Sequence, residues 1–311
     1  MTGIEHSGLS RRDFLLATVA ASAAAALGPG AMFAAETRSV APLPIVVFSK
    51  IYQELKLNYD EAAELTAKAG LDGVDCPVRP QGEIEPEQAA EEMPRYFDAL
   101  RKRKLSLPLL TTAITSPATA HTERVLRTAR KLGVQYYRLG PRHHARDVPL
   151  ARQIREAKAE LKDLAALNRE IGIGAIFQNH SPSGRKYLGG DLTELRELVA
   201  DLDPAQVAVA FDIGHALVVH GDAWRQHFDP LRPHIRVVYV KDVTPAGTWL
   251  PLGRGGIFQT GFFGLLPQMR YSGPLSLHVE YDWHHGGASR NRATLLKALS
   301  QDQATLRGWL R

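Results

Sequence analysis

The sequence predicts an α/β protein, a (β/α)8 barrel forming a single domain behind an N-terminal signal segment. Three observations carry this expectation. Short β-rich runs alternate with amphipathic helical patterns along the chain. Eight such pairs fit after residue 35 at about 34 residues each, the size of a closed parallel barrel. No glycine-rich phosphate loop follows an early strand, where an open doubly wound sheet would want one. The late run Gly253-Arg254-Gly255-Gly256 precedes no clear helix start and reads as a weak phosphate cradle.

The candidate strands are residues 45–48, 73–78, 105–111, 135–139, 174–179, 207–212, 236–241 and 276–281. Between them lie YDEAAELTAKAG, PEQAAEEMPRYFDALRKRK, TERVLRTARKLG, LARQIREAKAELKDLAALNREIG and DLTELRELVADL, whose apolar residues recur at helical spacing. Several of these patterns end in Gly, a helix stop.

The first 35 residues read as an address. Arg11-Arg12 stands directly before an alanine-rich apolar run, the pattern of a twin-arginine export signal. Gly28, Pro29 and Gly30 interrupt that run and argue against a stable membrane anchor. Cleavage between Gly28 and Glu36 leaves a domain of residues 36–311, exported to the periplasm. The twin-arginine translocase is then its partner during export.

Of 311 residues, 44% are hydrophobic and 23% charged, so the chain is globular rather than disordered. One cysteine rules out an internal disulfide framework and any cysteine-based zinc or iron–sulfur site. In an oxidising compartment Cys76 is expected to be buried and inert. The net charge of +5 is spread in short groups such as Arg101-Lys102-Arg103-Lys104. No long basic block marks nucleic acid as a partner.

Barrel chemistry sits at the carboxyl ends of the strands, and the late strands are polar there. Side chains alternate across a strand, and helices cover the outside, so the apolar face turns out and the polar face in. This directs Gln178 and His180 (strand 5), Asp212 (strand 6), Tyr239 and Lys241 (strand 7), and His278 and Glu280 (strand 8) toward one mouth. Inward charges are rare unless paired or metal-bound. Plainer readings stay open: Asp212 as a helix N-cap, and Lys241 with Asp242 as a rim salt bridge. His143, His144, His220, His227 and His234 receive no role.

Several short pieces share an order and spacing: Gly70-Leu71-Asp72-Gly73-Val74-Asp75, Gln178-Asn179-His180, Phe211-Asp212-Ile213-Gly214-His215, Val240-Lys241-Asp242, Leu252-Gly253-Arg254-Gly255, and Gly273-Pro274-Leu275-Ser276 leading to Val279-Glu280-Tyr281. In these the chain resembles the xylose-isomerase-like TIM barrels of the sugar phosphate isomerase/epimerase family. The resemblance implies one divalent metal (Mn, Zn, Mg or Co), held by a strand-5 carboxylate, a strand-6 Asp, a strand-7 His and a strand-8 Glu. Asp212 and Glu280 match. Gln178 stands in place of the Glu, and Tyr239 in place of the His. Either a metal then rests on Gln178, Asp212, Glu280 and His180 or His215, or the site is metal-free. Gln178 can ligate through its amide oxygen but carries no charge and cannot act as a base.

The implied chemistry is proton abstraction from a carbon next to a carbonyl of a small sugar. Glu280 is the expected base and metal ligand, while His215 and Lys241 orient and polarise the substrate. Tyr239 and Trp283 are further substrate contacts, and Trp249 and Phe258 are candidates to stack on sugar faces. The outcome is isomerisation or epimerisation, or β-elimination from a keto-glycoside by a lyase or hydratase. A non-catalytic sugar-binding protein is the reading of another class. A repair endonuclease would want a multi-zinc His/Glu cluster, and strands 1 to 4 carry no such ligands.

Overall fold

The computed structural model describes residues 42–283 and 289–311. The expected signal segment, residues 1–35, lies outside the described residues. The strands are β1 (Ile45–Phe48), β2 (Gly73–Val78), β3 (Ser106–Thr112), β4 (Tyr136–Arg138), β5 (Gly174–Gln178), β6 (Val207–Asp212), β7 (Ile235–Val240) and β8 (Leu275–Leu277). Each precedes a helix: α1 (Tyr59–Lys68), α2 (Ala89–Arg101), α3 (Thr122–Lys131), α4 (Leu150–Ile171), α5 (Leu192–Val199), α6 (Ile213–His220), α7 (Leu265–Gln268) and α8 (Arg292–Trp309). All eight strand pairings are parallel, and the sheet closes on itself. The expected barrel is therefore present, with all eight strands where the alternation put them.

The helices follow their sequence patterns. In α2 the buried residues Ala89, Met93, Tyr96 and Leu100 fall at helical spacing on one face. Asn58 and Asn291 close capping boxes on α1 and α8. Gly172 ends α4 with φ +79°, a conformation other residues seldom adopt.

The outward strand side chains join the helices in the main apolar core. The inward ones form a separate interior plug of Leu109, Ile176, Ala208, Ala210, Val237 and Tyr239. Small Ala208 and Ala210 on β6 leave room for the Tyr239 ring beside them. Asp75 ties this interior together, since Thr111 Oγ1 and Ser276 Oγ donate to its two oxygens at 2.8 and 3.0 Å. Burial pushes the Asp75 carboxyl up.

Strand 8 is shorter than expected. Pairing stops at Leu277, and one further bond, His278 N–H to the Val240 carbonyl, continues it. The reason lies in β7. After Val240 the chain turns away, and Asp242–Val243 pairs antiparallel with Trp249–Leu250 instead. Glu280 thus sits beyond the sheet, on the inward alternation but free of the ladder.

Asp242 makes that turn, and it is not a rim salt bridge. It is fully buried, and its carboxylate accepts from the backbone N–H groups of Val243, Gly253, Gly255 and Ile257 at 2.9, 2.9, 2.9 and 3.1 Å. The glycine-rich run therefore cradles an anion, but the anion is the chain's own carboxylate. A Cβ on Gly255 would lie 2.3 Å from Asp242 Oδ1, so only glycine fits there. Asp242→Ala is expected to leave these donors without an acceptor and to cost about 3 kcal/mol or more, roughly 6 °C in Tm. Thermal unfolding checks this; an unchanged Tm would refute the anchor.

Candidate functional site

Three late strands meet on one buried ammonium. Lys241 Nζ lies 3.0 Å from Glu280 Oε2 and 3.3 Å from Asp212 Oδ2. Lys241 is 2% exposed and Asp212 is fully buried. The Glu280 side chain is 32% exposed and reaches the cleft. The Lys241 ammonium also lies 4.8 Å from the centre of the Trp249 ring.

Asp212 is held from every side. As the N-cap of α6, its Oδ1 accepts from the His215 N–H at 3.0 Å, so the capping reading holds alongside the ion pair. Gln178 Nε2 donates to Oδ2 at 3.0 Å. Buried Asn179 clamps the Asp212 backbone in both directions, donating to its carbonyl at 2.9 Å and accepting from its N–H at 2.8 Å. Burial opposes ionisation of Asp212, but the Lys241 ammonium, helped by the His215 backbone N–H, outweighs it and holds the carboxyl below its usual range. At Glu280 burial is likewise overcome, by Lys241 and then by nearby His278, and the carboxyl is held far below its usual range.

His215 lines the cleft beside this pair. Its Nδ1 meets Ser181 Oγ at 2.8 Å, and its Nε2 lies 3.7 Å from Asp212 Oδ2, with no hydrogen-bond partner. The ring packs on His180 at 3.8 Å and meets Trp249 edge-on at 5.0 Å. Burial pushes the imidazole well below its ordinary value, so it is neutral.

The four expected metal donors do not converge. Gln178 turns its amide oxygen to Arg138 Nη1, 2.7 Å away, and its NH2 to Asp212. His180 Nδ1 faces the carbonyl of Ser181 at 2.7 Å. Lys241 occupies the space between the two carboxylates that a shared cation would take. Among the described residues, no group of three or more His, Cys, Asp or Glu could hold a metal ion. As the side chains stand, this donor set does not fit a divalent ion, because a +2 charge there would meet an ammonium in contact with both ligands.

Other expected residues separate by depth. Tyr239 is fully buried below the mouth, its ring tilted against His278 with centres 4.4 Å apart, and lines neither cavity at the mouth. It supports His278 rather than touching a substrate. Trp283 lines the cleft and donates to Glu54 Oε2 at 3.2 Å. Phe258 stacks on Trp309 of α8, away from the mouth. The cleft has a volume of about 890 Å³. Sequence reasoning missed Arg79 and Arg138, which line a second cavity at the mouth. The alternation Tyr136-Tyr137-Arg138 already turned Arg138 inward.

Fold and mouth define a (β/α)8-barrel protein with its polar site at the carboxyl ends of the strands. The chain belongs to the xylose isomerase-like TIM barrel family, whose model matches residues 63–301. Among solved structures, the D-psicose 3-epimerase of Clostridium cellulolyticum H10 superposes with a TM-score of 0.68 at 13% identity, covering 86% of this chain and 100% of that one. The 3-keto-D-glucoside 4-epimerase YcjR of E. coli gives 0.62 at 14%, covering 86% and 99%. The probable 3-DHS dehydratase AsbF of Bacillus anthracis gives 0.63 at 13%, covering 85% and 98%. At these identities the likeness is one of fold. No curated protein sequence matches the chain significantly.

A second titratable cluster lies behind β1 and β2. Glu83 accepts from Ser49 Oγ and from the buried Cys76 thiol, whose sulfur is 3.7 Å away. Burial pushes the Glu83 carboxyl up to about 7 and the Cys76 thiol well up, consistent with an inert cysteine. The folded state therefore holds the Glu83 proton more tightly than the unfolded chain. Its contribution is present below the unfolded value near 4.5 and is lost as pH rises through about 7. Glu83→Gln should thus stabilise the protein at pH 8 relative to wild type, by up to about 3 kcal/mol, and have little effect at pH 4. Denaturant unfolding at both pH values checks this; equal effects at the two would overturn it.

Proposed function

We propose that the protein is a sugar-transforming enzyme that removes a proton next to a carbonyl, with Glu280 as the base. The observation that carries this reading is the Asp212–Lys241–Glu280 arrangement beside the cleft. Glu280 reaches the cleft, while Lys241 and Asp212 are buried behind it. Neutral His215 offers a buried Nε2 without a partner at the same edge. A binding protein gains nothing from a buried ion pair aimed at its ligand, which is costly to maintain.

In the proposed reaction Glu280 takes the proton from the carbon, and the C–H electron pair becomes the C=C of an enediolate. The carbonyl π pair moves to oxygen, and the Lys241 ammonium offsets the new charge through space from behind Glu280. For isomerisation, Glu280 returns the proton to the neighbouring carbon, while the hydroxyl proton passes by way of His215 Nε2 to the former carbonyl oxygen and leaves the new carbonyl behind. For elimination, the electron pair expels the substituent on the β-carbon instead, and that group departs with the proton Glu280 took. Gln178 cannot serve as a second base. That absence favours one-base isomerisation or keto-glycoside elimination over an epimerisation with bases on opposite faces. A divalent metal is the family-implied source of the offsetting charge. The donor set argues for Lys241 in that role.

Glu280→Gln is expected to lower turnover about 10³-fold or more with an unchanged Tm, in aldose–ketose and keto-glycoside assays. A fully active variant would sink the assignment. Elemental mass spectrometry of protein purified without chelator should find less than one equivalent of Mn, Zn, Mg or Co. One equivalent that vanishes in Asp212→Ala/Glu280→Ala would restore the metal-assisted reading.

Export to the periplasm is proposed on the twin-arginine segment. Replacing Arg11 and Arg12 by Lys should keep the unprocessed chain in the cytoplasm, as read by cell fractionation; normal export of that variant would refute the signal.

A further inference from the structure

The early strands bring cations to the mouth. A cavity of about 220 Å³ opens beside Glu280 and Gln178, and its early-strand wall carries Lys50 after β1, Arg79 after β2 and Arg138 at the end of β4. It shares Phe48, Lys50, His180, Tyr187 and Glu280 with the larger cleft, so the two are contiguous at the mouth. A fourth cation on the lining, Arg142, is already committed to Glu160 and the Thr115 carbonyl.

The other cations are not committed in this way. Among the described residues, neither Lys50 nor Arg79 has an ion pair or a side-chain hydrogen bond. Both guanidinium carbons of Arg79 and Arg138 lie 5.8 Å from the centre of the same ring, Phe48. Arg138 spends one N–H on the neutral Gln178 amide, and its Nε is buried with no partner. The nearby acids are engaged elsewhere: Asp75 with Thr111 and Ser276, Glu280 with Lys241. Burial and the charge of Arg138 both disfavour protonated Arg79, so the arrangement is held against mutual repulsion.

Two guanidinium groups and an ammonium around one small cavity, with no carboxylate paired to them, make a receptor for a negative oxygen group. Guanidinium N–H forks match the two oxygens of a carboxylate or a phosphoryl group. We propose that this cavity is an anion subsite, which takes the carboxylate or phosphoryl group of an anionic sugar whose reacting carbon lies against Glu280. This rests on the function proposed above and narrows its substrate to a sugar acid or a sugar phosphate. The sugar body occupies the larger cleft and its anion the smaller cavity.

The test is calorimetric titration of the full chain with D-glucuronate, inorganic phosphate and D-glucose at constant ionic strength. The expected result is saturable 1:1 binding of at least one anion, at least ten-fold tighter than D-glucose. The tighter of the two anions identifies the group as carboxylate or phosphoryl. Arg79→Gln should weaken that binding at least ten-fold, with Arg79→Lys intermediate. Lys50→Gln, at an exposed position, supplies the same reading if Arg79→Gln fails to fold. Wild type that saturates with neither anion overturns the subsite, as does unchanged affinity in the variants. Turnover of a neutral keto-glycoside without anion binding would sink the subsite alone. Anion binding lost in the variants, with Glu280→Gln as active as wild type, would keep the subsite and sink the base.

Discussion

The late-strand half of the site depends on one buried ammonium shared by two carboxylates. An ionised Asp212 at zero exposure is tolerable only with compensation on the spot. Lys241 supplies the full charge, and the N-terminus of α6 and the Gln178 amide supply partial ones. Remove the ammonium and two carboxylates face each other across the mouth. Add a divalent cation and the ammonium must leave. The site is balanced for a single positive charge, and that constraint decides which chemistry its residues can support.

The barrel provides this precision by dividing labour within neighbouring residues. Lys241 and Asp242 are adjacent in sequence and point opposite ways. One enters the site and the other receives four backbone N–H groups, pinning the turn from which Lys241 reaches in. Gln178 and Asn179 divide similarly: the first touches the Asp212 carboxylate, the second fixes its backbone. Below them Tyr239 and Asp75 fill the interior, so the mouth rests on a packed floor. Around the rim the late strands carry the ion-paired acids, while the early strands carry Lys50 and Arg79, which have no ion pair among the described residues.

Much of this was legible because two periodicities constrain it. Helical and strand patterns alternate clearly enough to count eight units. A covered barrel then converts strand alternation into an inside and an outside, which placed Gln178, Asp212, Lys241 and Glu280 at one mouth. The same arithmetic does not report depth. Tyr239 and Lys241 share a face, yet one is floor and the other is site. Nor does it report what loops do in space. The Asp242 cradle depends on residues eleven to fifteen positions away, and Phe258 left the mouth to stack on α8. Arg138 was readable by alternation, but a lone inward arginine in a three-residue strand says nothing until Arg79 stands beside the same ring.

In the proposed reaction the ion pair also governs how a weak base would act. A carboxylate held by an ammonium is a poor proton acceptor, and each unit of lowered pKa adds about 1.4 kcal/mol to taking a proton. With that pair intact, Glu280 would be a worse base than a free carboxylate. The geometry offers a way out, because one ammonium serves both the base and the charge developing on substrate. In the proposed reaction, Lys241 would shift its hydrogen bond from Glu280 toward the carbonyl oxygen as that oxygen becomes an enediolate. Glu280 then gains basicity in step with the proton it receives. The stabilisation is absent in the ground state and present at the transition state, which is where it accelerates a reaction. A fixed ion pair would only bind, whereas a shared ammonium couples the base to the oxygen whose charge its action creates.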